Sequence, residues 1–311
     1  MIAIFLKTVP FFAIIALGYI SGRTKFFSEE ATAYLTKFVF YFALSAMLFR
    51  FSSNLSLSDL MDWQFVWAYL AGTTVVYILV SALALFSGKS FEETAIEAQC
   101  AVIGNVGFLG IPMLAVLMGE EAIGYVMLGL AVDLLVFGSL VVMIIVGARD
   151  GRMSFGILRT LALGLARNPM IVAITLGLLW SAFSIPIPAP LNEFMTLLGS
   201  AATPGALFAI GASLASKSAE RMQVAGWLSF CKLVLHPLAI AFFALVVFDV
   251  TPYAAAVMIA AASLPVAGNI FMIAKHYEVA PQRVSAAILV STALSILTVS
   301  LVMALVAPLY L

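Results

Sequence analysis

Asn105 and Asn269 each sit in an apolar stretch crowded with residues that break helices. Gly104, Gly107, Gly110 and Pro112 surround the first, and Pro265 and Gly268 the second. Glycine weakens a helix by roughly 1 kcal/mol relative to alanine, and proline by about 3. Backbone groups freed inside a bilayer must find partners or line a polar cavity. A helix that restarts after such a break presents unpaired N–H groups and about half a positive charge. Two restarts brought together favour a carboxylate. Asn105 and Asn269 would each donate an amide N–H to it, and the glycines would let it approach the backbone. Pro112 suits the first position of the restarted helix, where its missing N–H costs nothing. Phe108 and Phe271, beside the breaks, serve either core packing or the wall of an apolar part of the ligand. Taken singly, each glycine is more simply a kink or a packing residue. The pairing of two clusters, one in each half of the chain, is what points to a secondary transporter's binding site.

A second set of groups could move an ion. Asp133 is the one carboxylate well inside a predicted spanning segment, a placement that is rare and often functional. Its partner would be Lys232 or His236, or a coupling proton or sodium ion; the bland reading is a structural ion pair. Glu97 lies about a turn into its helix and is expected to stay wet. Cys100 and Cys231 are both in apolar segments and read as buried thiols, with no metal or redox spacing. The two histidines and one deep aspartate form no hydrolytic or metal-binding constellation, which argues against an intramembrane enzyme and requires no cofactor.

These residues need helices that cross a membrane to hold them. The chain has 311 residues, 64% hydrophobic and 10% charged, and a mean hydropathy of +1.16. Soluble domains carry about 25% charged residues, and no loop here would hold one, so a sensor with a soluble output domain is not indicated. The net charge of zero gives no reason to expect nucleic acid. Ten segments reach the length of about 20 residues needed to span: 1–21, 30–51, 63–87, 93–118, 122–147, 168–185, 191–215, 223–248, 253–276 and 283–308. The N-terminus, without a basic region or cleavage site, reads as the first of these.

Loop charge sets the orientation. With the N-terminus outside, eleven of the fifteen basic residues fall on the cytoplasmic side: Arg23, Lys25, Lys89, Arg149, Arg152, Arg159, Arg167, Lys217, Arg221, Lys275 and Arg283. The outer loops carry Asp59, Asp62, Glu120, Glu121 and Asp249. Both termini are therefore expected outside. The basic linker 148–167 divides the chain into residues 1–147 and 168–311, five predicted helices each. An odd number per half makes the halves opposite in orientation, the inverted-repeat plan. A shift of 159 residues carries Gly18 onto Gly177 and Leu48-Phe49 onto Leu207-Phe208. The broken helices are the fourth of each half, helices 4 and 9.

The same regions resemble the auxin efflux carrier family, which includes plant PIN-type auxin carriers and bacterial permeases for malonate, malate and related acids. Helix 4 carries Asn105 and Gly110-Ile111-Pro112; helix 9 carries Leu264-Pro265, Phe271, Ala274-Lys275, Tyr277, Val279 and Pro281; helix 6 opens with Arg167-Asn168-Pro169 and continues to Gly177-Leu178 and Trp180; helix 7 has Pro204 and Ala206-Leu207-Phe208-Ala209-Ile210-Gly211. The resemblance covers essentially the whole chain. It implies an all-α polytopic fold like the sodium/proton antiporters and bile-acid carriers, with ten transmembrane helices in two inverted five-helix repeats and crossed broken helices 4 and 9. Helices 1, 2, 6 and 7 would form a scaffold that mediates a homodimer, and helices 3–5 and 8–10 the moving transport domain. The implied activity is alternating-access transport of a small organic anion across the bacterial inner membrane, with the carboxylate at the crossover near Asn105, Pro112 and Pro265. A cation-coupled or cation-only carrier using Asp133 is the alternative on the same fold. One position departs from the family: Ser45 stands where helix 2 usually has proline. Helix 2 is therefore expected to be straighter, with the Ser45 hydroxyl open to substrate.

Overall fold

The computed structural model describes residues 2–54, 62–150, 163, 166–216 and 222–310. Asp59, Arg152, Arg159, Lys217, Arg221 and most of the 148–167 linker lie outside the described residues. Among the described residues no strand forms. The chain runs as α1 (Ile2–Arg23), α2 (Glu29–Ser52), α3 (Trp63–Phe86), α4 (Phe91–Val102), α5 (Ile111–Met118), α6 (Ala122–Arg149), α7 (Pro169–Ala182), α8 (Ala189–Leu214), α9 (Met222–Val247), α10 (Pro252–Ala262), α11 (Gly268–His276) and α12 (Pro281–Val306). Polar residues at the membrane-edge loops start several of these helices. Ser28, Asp62, Ser90 and Asn168 accept the backbone N–H of Ala31, Phe65, Glu93 and Met170 at 3.0–3.1 Å, which satisfies donors that the first turn leaves over.

Six helical runs among the described residues are long and apolar enough to cross a membrane: Glu29–Ser52, Trp63–Phe86, Ala122–Arg149, Ala189–Leu214, Met222–Val247 and Pro281–Leu309. Predicted helix 6 is shorter than expected, closing at Ala182, and predicted helices 4 and 9 are each divided. Four of the long runs are also irregular. α2, α6 and α9 contain π-helical turns at Val39–Ala43, Asp133–Phe137, Cys231–Leu235 and Phe243–Val247, and α8 breaks step at Ala201. The turn at Cys231–Leu235 comes just before Pro237, where it absorbs the missing N–H. Turns of this kind recur at functional sites.

Most helix contacts fall within two sets, joined where α1 lies on α12. α1 lies along the second part of α8, and α7 against the second part of α2; α3 lies on α4 and α9, α6 on α4 and α10, and α12 on α9 and α11. In the first set helix backbones come into direct contact through glycine. A side-chain carbon on Gly18 would collide with the carbonyl of Phe208, and one on Gly177 with the carbonyl of Phe49. The 159-residue shift that takes Gly18 onto Gly177 also takes Phe49 onto Phe208, so each contact is the image of the other.

In the second set, charge gathers at one end. Glu97 is not wet as expected: it is 2% exposed and its carboxylate accepts Lys89 Nζ at 2.5 Å and Arg283 Nη1 at 3.1 Å. Arg283 also reaches Glu93 at 3.0 Å. Arg149 bonds Glu92 at 2.7 Å and the carbonyl of Tyr277. α4 thus meets the start of α12 and the end of α6 through ions, because a carboxylate packed under neighbouring helices must be paired to remain charged. Glu97→Gln is expected to lower stability in detergent by about 2 kcal/mol, below the full value for a buried pair because both partners are partly solvated. An unchanged thermal midpoint would refute that role.

Candidate functional site

The two interrupted helices meet. α4 ends at Val102, and Ile103 takes an extended conformation; α10 ends at Ala262, and Leu264 to Val266 are unwound. Gly104 and Val266 form an antiparallel bridge. Asn105 N–H donates to the Pro265 carbonyl at 2.8 Å, and Ala267 N–H to the Ile103 carbonyl at 3.1 Å. Each break therefore satisfies backbone groups that the other frees, the requirement for irregular backbone at depth. Pro265 lacks an N–H and accepts here through its carbonyl. Ser291 of α12 completes the pairing: its buried hydroxyl accepts the Val266 N–H at 3.0 Å. One serine on a helix rich in serines carries no distinguishing pattern in the sequence. Ser291→Ala leaves a buried N–H unpaired, so a loss of about 1–3 kcal/mol is expected, with faster amide hydrogen exchange at residues 264–267. Wild-type exchange there would sink the assignment.

After the breaks both helices restart. The first restart begins with a π-helical turn over Val106–Gly110 and continues as α5. Pro112 is the second residue of α5, one place after the expected first position, with the π-helical turn before it. The reason is that Asn105 already accepts Leu109 N–H at 3.1 Å and Gly110 N–H at 3.0 Å, so the helix begins six residues before Pro112 and its wide first turn tolerates the proline. The second restart is α11, with Gly268 and Asn269 in its first turn. The N–H groups of Gly107, Phe108, Gly268 and Asn269 have no preceding helical carbonyl to bond, and among the described residues none of the four bonds a carbonyl outside its own helix.

The predicted site residues divide by exposure. Asn105 is half-buried, and among the described residues no protein group hydrogen-bonds its carboxamide; Gly268 and Asn269 are exposed, and a side-chain carbon on Gly268 would meet nothing within 4 Å. Gly107 and Gly110 are buried against the side chains of Met170 and Leu264, and so set the approach of α7 and of the second break. Phe108 stacks on Phe40 of α2, ring centroids 5.7 Å apart. Phe271 is half-buried on α11. Ser45 is half-buried, and its hydroxyl donates to the Phe40 carbonyl at 3.1 Å. A π-helical turn thus precedes Ser45, and its hydroxyl bonds the backbone there.

Behind the breaks lies a buried polar cluster. Asp133 Oδ1 accepts the Tyr69 hydroxyl at 2.9 Å, so its bonded partner is neither Lys232 nor His236. Asp133 Oδ2 is enclosed and without a partner among the described residues. Lys232 Nζ donates to the carbonyl of Ala262, the last residue of α10, and lies 3.2 Å from His236 Nδ1. The ammonium thus stands at the negative end of a broken helix, the favourable place for a cation. His236 Nε2 lies 3.2 Å from Thr73 Oγ1. A side-chain carbon on Gly104 would be 3.3 Å from Lys232 Nζ and 3.4 Å from Leu264 Cβ, so the first break lies close to the lysine. Tyr69 and Thr73, both on α3, carry no signal in sequence that would have singled them out.

The sequence model of the family described as membrane transport protein matches residues 3–303. A protein from Rhizobium meliloti (strain 1021) named "Putative malonate transporter" is 31% identical over 94% of this chain and 92% of its own. "Uncharacterized transporter YfdV" of Escherichia coli (strain K12) is 26% identical over 91% of each chain. "Uncharacterized transporter MJ1031" of Methanocaldococcus jannaschii is 24% identical over 93% of this chain and 94% of its own.

Proposed function

This chain belongs to the membrane transport protein family, that of the auxin efflux carriers, and from that premise we propose that it is a secondary carrier of small organic carboxylates, working by alternating access. That it is a multi-pass membrane transporter follows from the family and the apolar helices. The anion reading rests on one observation above the rest. Two helix starts are held together by backbone bonds, with the N–H groups of Gly107, Phe108, Gly268 and Asn269 free of acceptors outside their own helices and the Asn105 carboxamide without a partner among the described residues. Convergent donors and two positive helix ends suit a carboxylate.

In this reading the chain crosses the bilayer ten times as two inverted repeats, residues 1–147 and 168–311, with helices 4 and 9 crossing at the anion. The mirrored contacts Gly18–Phe208 and Gly177–Phe49 support the repeat. α1, α2, α7 and α8 form the scaffold and the homodimer surface, and the remaining helices move; the two packing sets support that division. Gly107, Gly110, Pro112 and Pro265 shape the site, and Asn105, Gly268, Asn269 and Phe271 face the substrate. Both termini lie outside the inner membrane, and a proton or sodium ion drives the cycle. The name of the Rhizobium relative makes malonate the first acid to test.

The test is uptake of labelled malonate, malate and indole acetate into proteoliposomes, under imposed proton, sodium and voltage gradients. Accumulation of one acid is the expected result. Movement of a cation alone, with no acid carried by correctly inserted protein, would replace this reading with the cation carrier.

A further inference from the structure

We infer that Asp133 takes up the proton that travels with the anion, and that Lys232 is the fixed positive charge to which carboxylate and substrate both answer. This rests on the anion-carrier reading above. Asp133 is 2% exposed and Lys232 fully buried. One carboxylate oxygen is held by Tyr69; the other has no partner among the described residues. Tyr69 in turn meets the ring of His236 edge-on, centroids 6.2 Å apart, and His236 lies against Lys232 Nζ. The two charges therefore belong to one cluster. The ammonium also donates to the carbonyl of Ala262, where α10 ends at the second break, and a side-chain carbon placed on Gly104, one residue from Asn105, would lie 3.3 Å from it.

With the site empty, one buried carboxylate and one buried ammonium leave the cluster near neutral. An anion docked at the breaks adds a second negative charge beside the same ammonium, in a medium that screens charge poorly. A proton passing from hydronium on the open side to Asp133 Oδ2 restores the balance: the carboxylate becomes a carboxylic acid, water is released, and no other bond changes. By linkage the proton strengthens anion binding as much as the anion strengthens proton binding. On the far side, loss of either one releases the other.

A proton suits this place better than a metal ion. A metal ion needs several oxygen ligands at once, whereas Asp133 Oδ2 is the one carboxylate oxygen left over among the side chains of this cluster. Among the described residues no three His, Cys, Asp or Glu side chains converge on a metal position, and Lys232 already supplies a cation. The other ionisable groups bonded to or touching the pair are Tyr69 from α3 and His236 from α9; Tyr77 on α3, Cys231 on α9 and Cys100 on α4 are buried on the same elements, and Glu97 on α4 is engaged by Lys89 and Arg283.

Malonate uptake into proteoliposomes with an acid-outside gradient tests the inference. Wild type is expected to accumulate malonate with the gradient, and its affinity to fall on the order of tenfold as the external medium is made alkaline. Whatever uptake Asp133→Asn retains should be indifferent to pH. Gradient-driven accumulation by Asp133→Asn equal to wild type would overturn the inference, as would wild-type uptake that ignores the gradient; both leave the anion-carrier reading intact. Failure of wild type to move any acid would defeat that reading instead. Should the variant not fold, the wild type decides alone. Malonate added to purified carrier in weak buffer with a pH dye should take up about one proton per bound anion, and no proton uptake on binding would refute the coupling.

Discussion

Replacing Asn105 with alanine is expected to lower the initial rate of acid uptake by about 10- to 100-fold while the protein keeps its wild-type melting temperature. The separation follows from what each part of Asn105 does. Its backbone holds the crossover, through the N–H to Pro265 and the carbonyl that receives Leu109 and Gly110, and alanine keeps both. Its carboxamide bonds nothing among the described residues, so folding loses little. A hydrogen bond to an anion, by contrast, is worth about 1.5–3 kcal/mol, and each 1.4 kcal/mol is tenfold. Asn105→Asp should be worse still, since it sets a negative charge where the substrate's own must go. Uptake and affinity at wild-type level in Asn105→Ala would remove the break from the substrate's path.

The breaks were legible because glycine and proline are costly in a spanning helix, and their clustering could be read without knowing any contact. Asn105, Pro265 and Gly268 followed from that. What the breaks do for each other was not legible. Pairing of Ile103–Asn105 with Pro265–Ala267 depends on which helices lie side by side, and so does the help from Ser291. Pro112 marked the start of α5, but the π-helical turn that precedes it carries no such marker in the sequence. Glu97 looked solvated because Arg283, which pairs with it, comes from a distant part of the sequence, while Lys89 and Glu93 are local. Asp133 and Lys232 stood out as charges in apolar runs. Their partners did not, since Tyr69, Thr73 and the carbonyl of Ala262 are ordinary features of membrane helices.

Two glycines that look alike in sequence should respond in opposite ways to leucine. Gly211→Leu is expected to abolish folding, or to cost about 3 kcal/mol or more, because a side-chain carbon at Gly211 would strike the backbone carbonyl of Ile15 on α1. Backbone cannot rotate aside as a side chain does, and within lipid no hydrophobic gain offsets the lost packing. Gly268→Leu should leave the melting temperature as it is, since nothing lies within 4 Å of the added carbon and α11 loses no bond. Its side chain would instead stand over the open first turn of α11, in the space assigned to the anion, and uptake should fall by about tenfold or more. Thermal unfolding in detergent and uptake rate, measured on both variants, separate scaffold from site. A folded, stable Gly211→Leu would contradict the α1–α8 contact. Normal uptake by Gly268→Leu would mean that the exposed start of α11 faces lipid or solvent and not the substrate, and the anion would then have to be held by the first break alone.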